Sequence, residues 1–241
     1  MGKPKYNIWP LGLLPEKFQR PEIRLLREAG YNIDDARDAV TIFENKIADY
    51  AGSKFAVAVD NCTDAIFLCL KYLRAEGNII FPARTYVSAP MAAILAGCTV
   101  QFKDYPWSGV YKLDPFPVVD SSVRFTKNMY IKGTYQCLSF QIKKRLPIGK
   151  GGMILTDDAE AARWLRIAAF EGRHLETPYD EDEFEMVGWN MYMTPEDAAR
   201  GILLFDQLEE ELPDSCTHVD YLDLTTKQIF KDCEYIKESD E

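Results

Sequence analysis

Apolar positions along this chain alternate between two rhythms. From Asp34 to Ala51, the residues Ala36, Ala39, Val40, Phe43, Ile47 and Tyr50 recur at the helical period, and Gly52 supplies the stop. Phe55–Val59 (FAVAV) is a continuous apolar run of the kind that suits a buried parallel strand. Asn61 then opens a helix whose apolar positions are Ala65, Ile66, Leu68, Cys69 and Leu73. A short strand is predicted from Asn78 to Phe81, stopped by Pro82. It is followed by a helix of small residues from Ala89 to Ala96, ended by Gly97, and by a strand from Cys98 to Phe102. Residues 103–115 carry no clear period and read as irregular, whereas Phe116–Asp120 reads as a strand ending in an acid. Apolar runs ending near Ser139 and spanning Ile154 to Thr156 give two more strands. Asp157 and Asp158 cap a helix with Ala161, Trp164, Leu165, Ala168 and Ala169 on its apolar side. The acidic stretch Glu176 to Glu185 reads as a flexible loop. Thr194 is an N-cap, with Pro195 in the first helical position, for a helix expected to reach about Leu212. Residues 1–30, rich in Pro and mixed charge, read as an arm over the main body, and about one helix is expected beyond Pro213. This alternation of strands and amphipathic helices predicts an α/β fold.

Composition narrows the classes. A chain of 241 residues, 47% hydrophobic, can bury one large core. The net charge of −10 argues against nucleic acid as partner, while leaving room for a local cationic pocket. The six cysteines form no CxxC pair and no zinc spacing, so they read as reduced core residues of a cytoplasmic protein. No signal-peptide pattern or membrane-length apolar stretch is present in the sequence. Two histidines are too few for a histidine-built metal site, and no metal site is expected.

The candidate chemistry centres on Cys137–Ile154. A strand end leads into Lys143, Lys144 and Arg145, then into Gly149, Gly151 and Gly152, and then into a second apolar run. Three adjacent cations read equally well as a solvated turn or as the setting of a nucleophilic lysine, since burial and nearby cations lower a lysine pKa. Asn61-Cys62-Thr63-Asp64 is either a plain cap or an anion site at a helix N-terminus. Asp120 either caps a turn or faces the crevice at the carboxyl ends of the strands.

Taken in order, these segments resemble the DegT/StrS family of pyridoxal-phosphate-dependent aminotransferases of nucleotide-linked keto sugars. Ser139-Phe140-x-x-x-Lys144 followed by Gly151-Gly152 is similar to the family's cofactor-lysine segment and implies Lys144, not Lys143, as the Schiff-base residue. Asn61-Cys62-Thr63-Asp64-Ala65-Ile66 is similar to the phosphate-holding segment, with Cys62 where the family has glycine. The resemblance puts Tyr86 against the pyridine ring, Asp120 on its nitrogen, Thr63 and Ser139 on the phosphate, and Asn190 across a homodimer interface. Val123 and Tyr192 stand where the family has glutamine and arginine. What the resemblance implies is a three-layer, mostly parallel, aspartate-aminotransferase-like (fold type I) large domain over residues 31–212. A short C-terminal remnant, 213–241, would replace the usual small domain. It also implies pyridoxal 5′-phosphate as cofactor, L-glutamate as donor and a nucleotide-linked keto sugar as acceptor, for polysaccharide biosynthesis. The alternative is a degenerate relative that binds cofactor or nucleotide sugar without turnover.

Overall fold

The computed structural model describes residues 14–208 and 213–237. Among the described residues, eight strands form the middle layer. β1 (Phe55–Val59), β7 (Gly152–Thr156), β6 (Tyr135–Ser139), β5 (Val118–Asp120) and β4 (Tyr111–Lys112) lie side by side in that order. β2 (Asn78–Pro82), β3 (Thr99–Lys103) and β8 (Ile236–Lys237) form a second, parallel group. A backbone bridge from Ile80 of β2 to Asp114, two residues beyond β4, joins the groups. β5 and β6 run parallel, and β7 runs antiparallel to both β6 and β1; β1, expected as a parallel strand, therefore has only an antiparallel ladder, although it shares the direction of β5 and β6. Reversed strands are thus confined to β7 and the two-residue β4 in an otherwise parallel arrangement.

Two cores flank this layer, and strand alternation assigns residues to each. Val57, Val59, Cys137 and Ile154 enter one core, with α3 (Cys62–Tyr72), α4 (Ser88–Ala96) and α5 (Ala159–Ala169). Ala56, Ala58, Leu138, Met153 and Leu155 enter the other, with α1 (Glu22–Glu28), α2 (Asp38–Ala51) and α6 (Pro195–Phe205). Helices on both faces of the sheet are the expected three-layer α/β architecture. Fully buried Phe43, Phe140 and Ile47 anchor the second core; each large apolar side chain contributes about 1.5–3 kcal/mol.

β1 is an edge strand, and side chains finish its pairing. Glu44 Oε1 accepts the Ala58 N–H at 2.8 Å, and Arg166 donates to the Ala56 carbonyl at 3.0 Å and to Glu44 Oε2 at 2.8 Å. Burial pushes the Glu44 carboxyl up and Arg166 opposes that shift. Unpaired strand edges invite association, and this pair closes one.

Several boundaries differ from the sequence reading for local reasons. α2 starts at Asp38, not Asp34, because Asp38 Oδ2 takes the N–H groups of Asp34 and Asp35 at 2.9 and 2.8 Å and holds them in a turn. The 103–115 segment contains β4, held to β5 by the Tyr111↔Asp120 pairing. α6 ends at Phe205, short of the predicted Leu212: residues 206–208 leave the helix in a turn, and residues 209–212 lie outside the described residues. In the acidic loop, Asp182 is buried against His174, and Glu185 pairs with Arg163 and with His174 Nε2 at 3.1 Å, so the loop expected to be flexible is tied at both positions.

The first 13 residues lie outside the described part; from residue 14 the arm contains α1, whose Leu26 is fully buried beside α6. Among the described residues beyond Pro213, the chain forms two short 3-10 turns, α7 (Gln228–Lys231) and β8, instead of one helix. Phe230 packs edge-on against Phe102 at 5.3 Å.

Candidate active site

A cavity of about 540 Å³ opens where the carboxyl ends of β1, β2, β5 and β6 meet the reversed start of β7. That size suits a cofactor or small substrate, for which pockets run to about 300–1,000 Å³. Crevices at the carboxyl ends of parallel strands are where open α/β sheets bind ligands.

One end of the cavity is built by two helix starts. Asn61 caps α3 by accepting the Asp64 N–H at 2.9 Å, which leaves the first two N–H groups, of Cys62 and Thr63, without intrahelical partners. Thr63 Oγ1 and Ser88 Oγ, the latter on the first residue of α4, lie 2.7 Å apart. The chain reaches this packing because residue 152 is glycine. A Cβ there would sit 2.5 Å from the Asn61 carbonyl carbon and 2.8 Å from the Cys62 nitrogen. Cys62 lines the cavity and also packs into the first core; burial and the Asp120 charge push its thiol up against the opposing influence of Lys144, so it stays neutral.

Asp120 lines the cavity from the end of β5 and is 4% exposed. Its Oδ1 accepts the Ser122 N–H at 2.8 Å, and its Oδ2 accepts the Tyr111 hydroxyl at 2.7 Å. Thr85 donates in turn to the Tyr111 oxygen at 2.7 Å, so the proton of Tyr111 is directed to Asp120. Burial, reinforced by Asp120, raises the Tyr111 phenol well above its ordinary value and keeps it a donor. Tyr111→Phe is expected to cost about 1–3 kcal/mol in urea unfolding of the cofactor-free protein, because it strips a donor from a buried carboxylate. The same change in an Asp120→Asn background should cost clearly less; equal costs would mean that the hydroxyl does not act on Asp120.

Lys144 follows β6 in a turn closed by its own N–H to the Gln141 carbonyl at 2.8 Å. It is half-buried, lines the cavity and, among the described residues, has no carboxylate within ion-pair distance. Its neighbours differ: Lys150 pairs with Asp60 at 2.9 Å, Arg145 donates to the Asp214 carbonyl at 3.2 Å, and Lys143 is exposed at the rim. The solvated-turn reading therefore suits Lys143, and the cavity reading suits Lys144.

Of the seven residues singled out in the sequence, Cys62, Thr63, Tyr86, Asp120, Ser139 and Lys144 line this one cavity. Tyr86 is 60% exposed, at the surface of the site. Asn190 is not among the lining residues; it is exposed and donates to Glu171 at 2.8 Å. Tyr192 stacks edge-on against Phe170 at 5.1 Å, and Val123 is buried in the first core. Sequence reasoning missed Ser88, Tyr111 and the C-terminal residues Ser215, Cys216, Asp220 and Tyr221. Ser88 had a signal as a hydroxyl opening a helix; the others had none.

Near the α3 cap, Asn61 Nδ2 donates to Asp60 at 2.9 Å and to Asp64 at 2.6 Å. Burial, and then the adjoining Asp60, push the Asp64 carboxyl up to about 7. A raised folded-state value means that the native protein holds a proton the unfolded chain releases, so this group stabilises the fold increasingly as pH falls from 8 toward 5. Asp64→Asn is expected to make the melting temperature less pH-dependent between pH 8 and 6 than in the unaltered chain. Parallel curves for the two proteins would contradict the assignment.

This arrangement can be compared with known proteins. A model of the DegT/DnrJ/EryC1/StrS aminotransferase family matches residues 26–115 and 127–238. The chain belongs to this family. Among curated relatives, the spore coat polysaccharide biosynthesis protein SpsC of Bacillus subtilis is 26% identical, aligned over 70% of this chain and 56% of its own. The GDP-perosamine synthase of Caulobacter vibrioides is 24% identical over 70% of this chain and 57% of its own. The chain thus spans about half the length of the curated relatives it matches. Among solved structures, AtS13 from Actinomadura melliaura shares the fold with a TM-score of 0.67 at 17% identity, covering 79% of this chain and 65% of that one. DesI, solved with its TDP-sugar product, gives a TM-score of 0.58 at 20% identity, covering 78% and 58%. DegT/DnrJ/EryC1/StrS membership and these neighbours agree with the three-layer α/β fold. No helix among the described residues is long and apolar enough to cross a membrane.

Proposed function

We propose that this chain binds pyridoxal 5′-phosphate in the cavity and transfers an amino group from L-glutamate to a nucleotide-linked keto sugar. The observation that carries the reading is one cavity holding Lys144, which makes no ion pair among the described residues, a buried carboxylate, Asp120, and the first turn of α3, whose Cys62 and Thr63 N–H groups have no intrahelical partner. The donor set fits the cofactor. Free N–H groups of Cys62 and Thr63, with the hydroxyls of Thr63, Ser88 and Ser139, suit a phosphate at a helix N-terminus. Asp120, fixed by Ser122 and Tyr111, suits a protonated ring nitrogen, and the exposed Tyr86 ring suits an aromatic face.

When bound, pyridoxal phosphate supplies an electron sink for charge developing at the amino-bearing carbon. Lys144 Nζ would hold the cofactor, and its amine would move the proton at the donor's α-carbon. Asp120 would hold a proton on the ring nitrogen. Tyr111 and Thr85 hold Asp120.

Substrate class follows the relatives: one is a GDP-perosamine synthase, and another is a dTDP-3-amino-3,6-dideoxy-α-D-galactopyranose transaminase of Aneurinibacillus thermoaerophilus, 27% identical over 50% of this chain and 32% of its own. Asn190, exposed and away from its own cavity, is assigned to the cavity of a second copy, so the active form is a homodimer.

The test is the donor half-reaction. Protein loaded with pyridoxal phosphate should lose its visible absorbance band on addition of L-glutamate and release one equivalent of 2-oxoglutarate. A band that ignores glutamate would favour a cofactor-binding relative without turnover.

A further inference from the structure

The segment from Asp214 to Leu224 forms part of the cavity wall, although nothing in its residue pattern foretells it. It is strapped down along its length. The Asp214 carboxylate is held by Arg124 at 2.8 and 2.7 Å, and Ser215 donates its N–H to the Val123 carbonyl at 2.9 Å. His218 donates its N–H to the Trp107 carbonyl at 3.1 Å, and Leu224 donates to the Ala83 carbonyl at 2.9 Å. Between these anchors, Cys216, Asp220 and Tyr221 line the same cavity as Lys144 and Asp120.

Their chemistry complements the phosphate end. Asp220 Oδ2 is taken by the Thr217 N–H at 2.7 Å, and its Oδ1 has no hydrogen bond among the described residues, so the carboxylate retains accepting capacity. The Tyr221 ring packs on Trp107 with centroids 5.6 Å apart. Burial, then the neighbouring Cys216 and Asp120, raise the Tyr221 phenol, so its hydroxyl stays protonated and able to donate. A carboxylate, a phenol and nearby aromatic surface match a ring that carries hydroxyl groups: sugar hydroxyls donate to carboxylates and accept from phenols.

We propose that this strap is the sugar-binding wall of the cavity, with Asp220 and Tyr221 taking sugar hydroxyls and Cys216 covered when a nucleotide sugar is seated. The proposal rests on the nucleotide-sugar reading above and names the residues that serve it.

Thiol alkylation tests it without relying on turnover. Cys216 and Cys233 are both half-buried, but only Cys216 lines the cavity, so Cys233 serves as an internal control. N-ethylmaleimide labelling is followed by peptide mass spectrometry, with and without pyridoxal phosphate and with dTDP-glucose, a nucleotide sugar that lacks the keto group. The expected result is at least a fivefold slowing at Cys216 with dTDP-glucose and no change at Cys233. Asp220→Asn and Tyr221→Phe should each weaken that protection about tenfold in dTDP-glucose concentration, the effect of losing one hydrogen bond to a charged or buried partner. Both should leave pyridoxal phosphate affinity within about twofold. Protection of Cys216 by dTDP-glucose in protein that takes up no pyridoxal phosphate would support the strap and defeat the cofactor reading. A cofactor band together with unslowed Cys216 labelling under dTDP-glucose, and unaltered behaviour of both variants, would overturn the strap.

Discussion

Lys144→Ala is expected to lower glutamate-dependent amino transfer by a factor on the order of 10²–10⁴ or more, while the protein stays folded. The lower bound is the usual worth of a positioned acid–base group, and loss of the covalent anchor adds to it. The fold should tolerate the change because Lys144 is half-buried and makes no ion pair among the described residues; its backbone N–H, which closes the turn to Gln141, is retained. Lys143→Ala is the matched control: it removes an exposed rim cation from the same turn and should cost less than tenfold. Rates are measured by release of 2-oxoglutarate, and melting temperatures confirm folding. Equal losses for the two variants would mean that the turn contributes charge and not a specific nucleophile.

Gly152→Ala is expected to damage stability and site together. The new Cβ would meet backbone atoms only, at 2.5 Å (Asn61 carbonyl carbon), 2.7 Å (Asn61 oxygen) and 2.8 Å (Cys62 nitrogen). No flexible side chain is available to move aside. Gly152 is also paired on both sides, to Val59 of β1 and Ser139 of β6, so the strand cannot yield without breaking two ladders. The first turn of α3 must shift, and with it the N–H groups of Cys62 and Thr63. Overpacking of this kind costs about 1–3 kcal/mol, and pyridoxal phosphate affinity should fall tenfold or more. Gly77→Ala separates the two effects. Its φ of +82° imposes a left-handed strain of about 1–2 kcal/mol, but its Cβ would meet nothing within 4 Å. It should lower the urea midpoint while cofactor affinity stays unchanged. Cofactor affinity that survives Gly152→Ala intact would show that the start of α3 is not the phosphate site.

Much of this architecture was legible from periodicity because the buried faces are clean. FAVAV at 55–59 sends alternate residues into two cores, and the small-residue helix ended by Gly97 and the caps Asn61, Asp158 and Thr194 fall where the pattern puts them. The cavity residues Cys62, Thr63, Tyr86, Asp120, Ser139 and Lys144 were legible only through the order of family segments, since each alone had an equally good cap or surface reading. What escaped depended on long-range partners. Tyr111 lies in a two-residue strand defined by its neighbour Asp120, and no short-range pattern announces that pairing. The strap is polar and aperiodic, and it is fixed by Arg124, Trp107 and Ala83, residues far away in sequence. The acidic loop read as flexible because charge density alone does not reveal that His174 and Arg163 pair with it.

The most direct test of the central claim is reductive trapping. The protein is incubated with pyridoxal phosphate, reduced with borohydride, digested and analysed by mass spectrometry. The expected result is one phosphopyridoxyl group on Lys144, with Lys143 and Lys150 unmodified at stoichiometric cofactor. Modification spread over the three lysines, or absent from Lys144, would contradict the account.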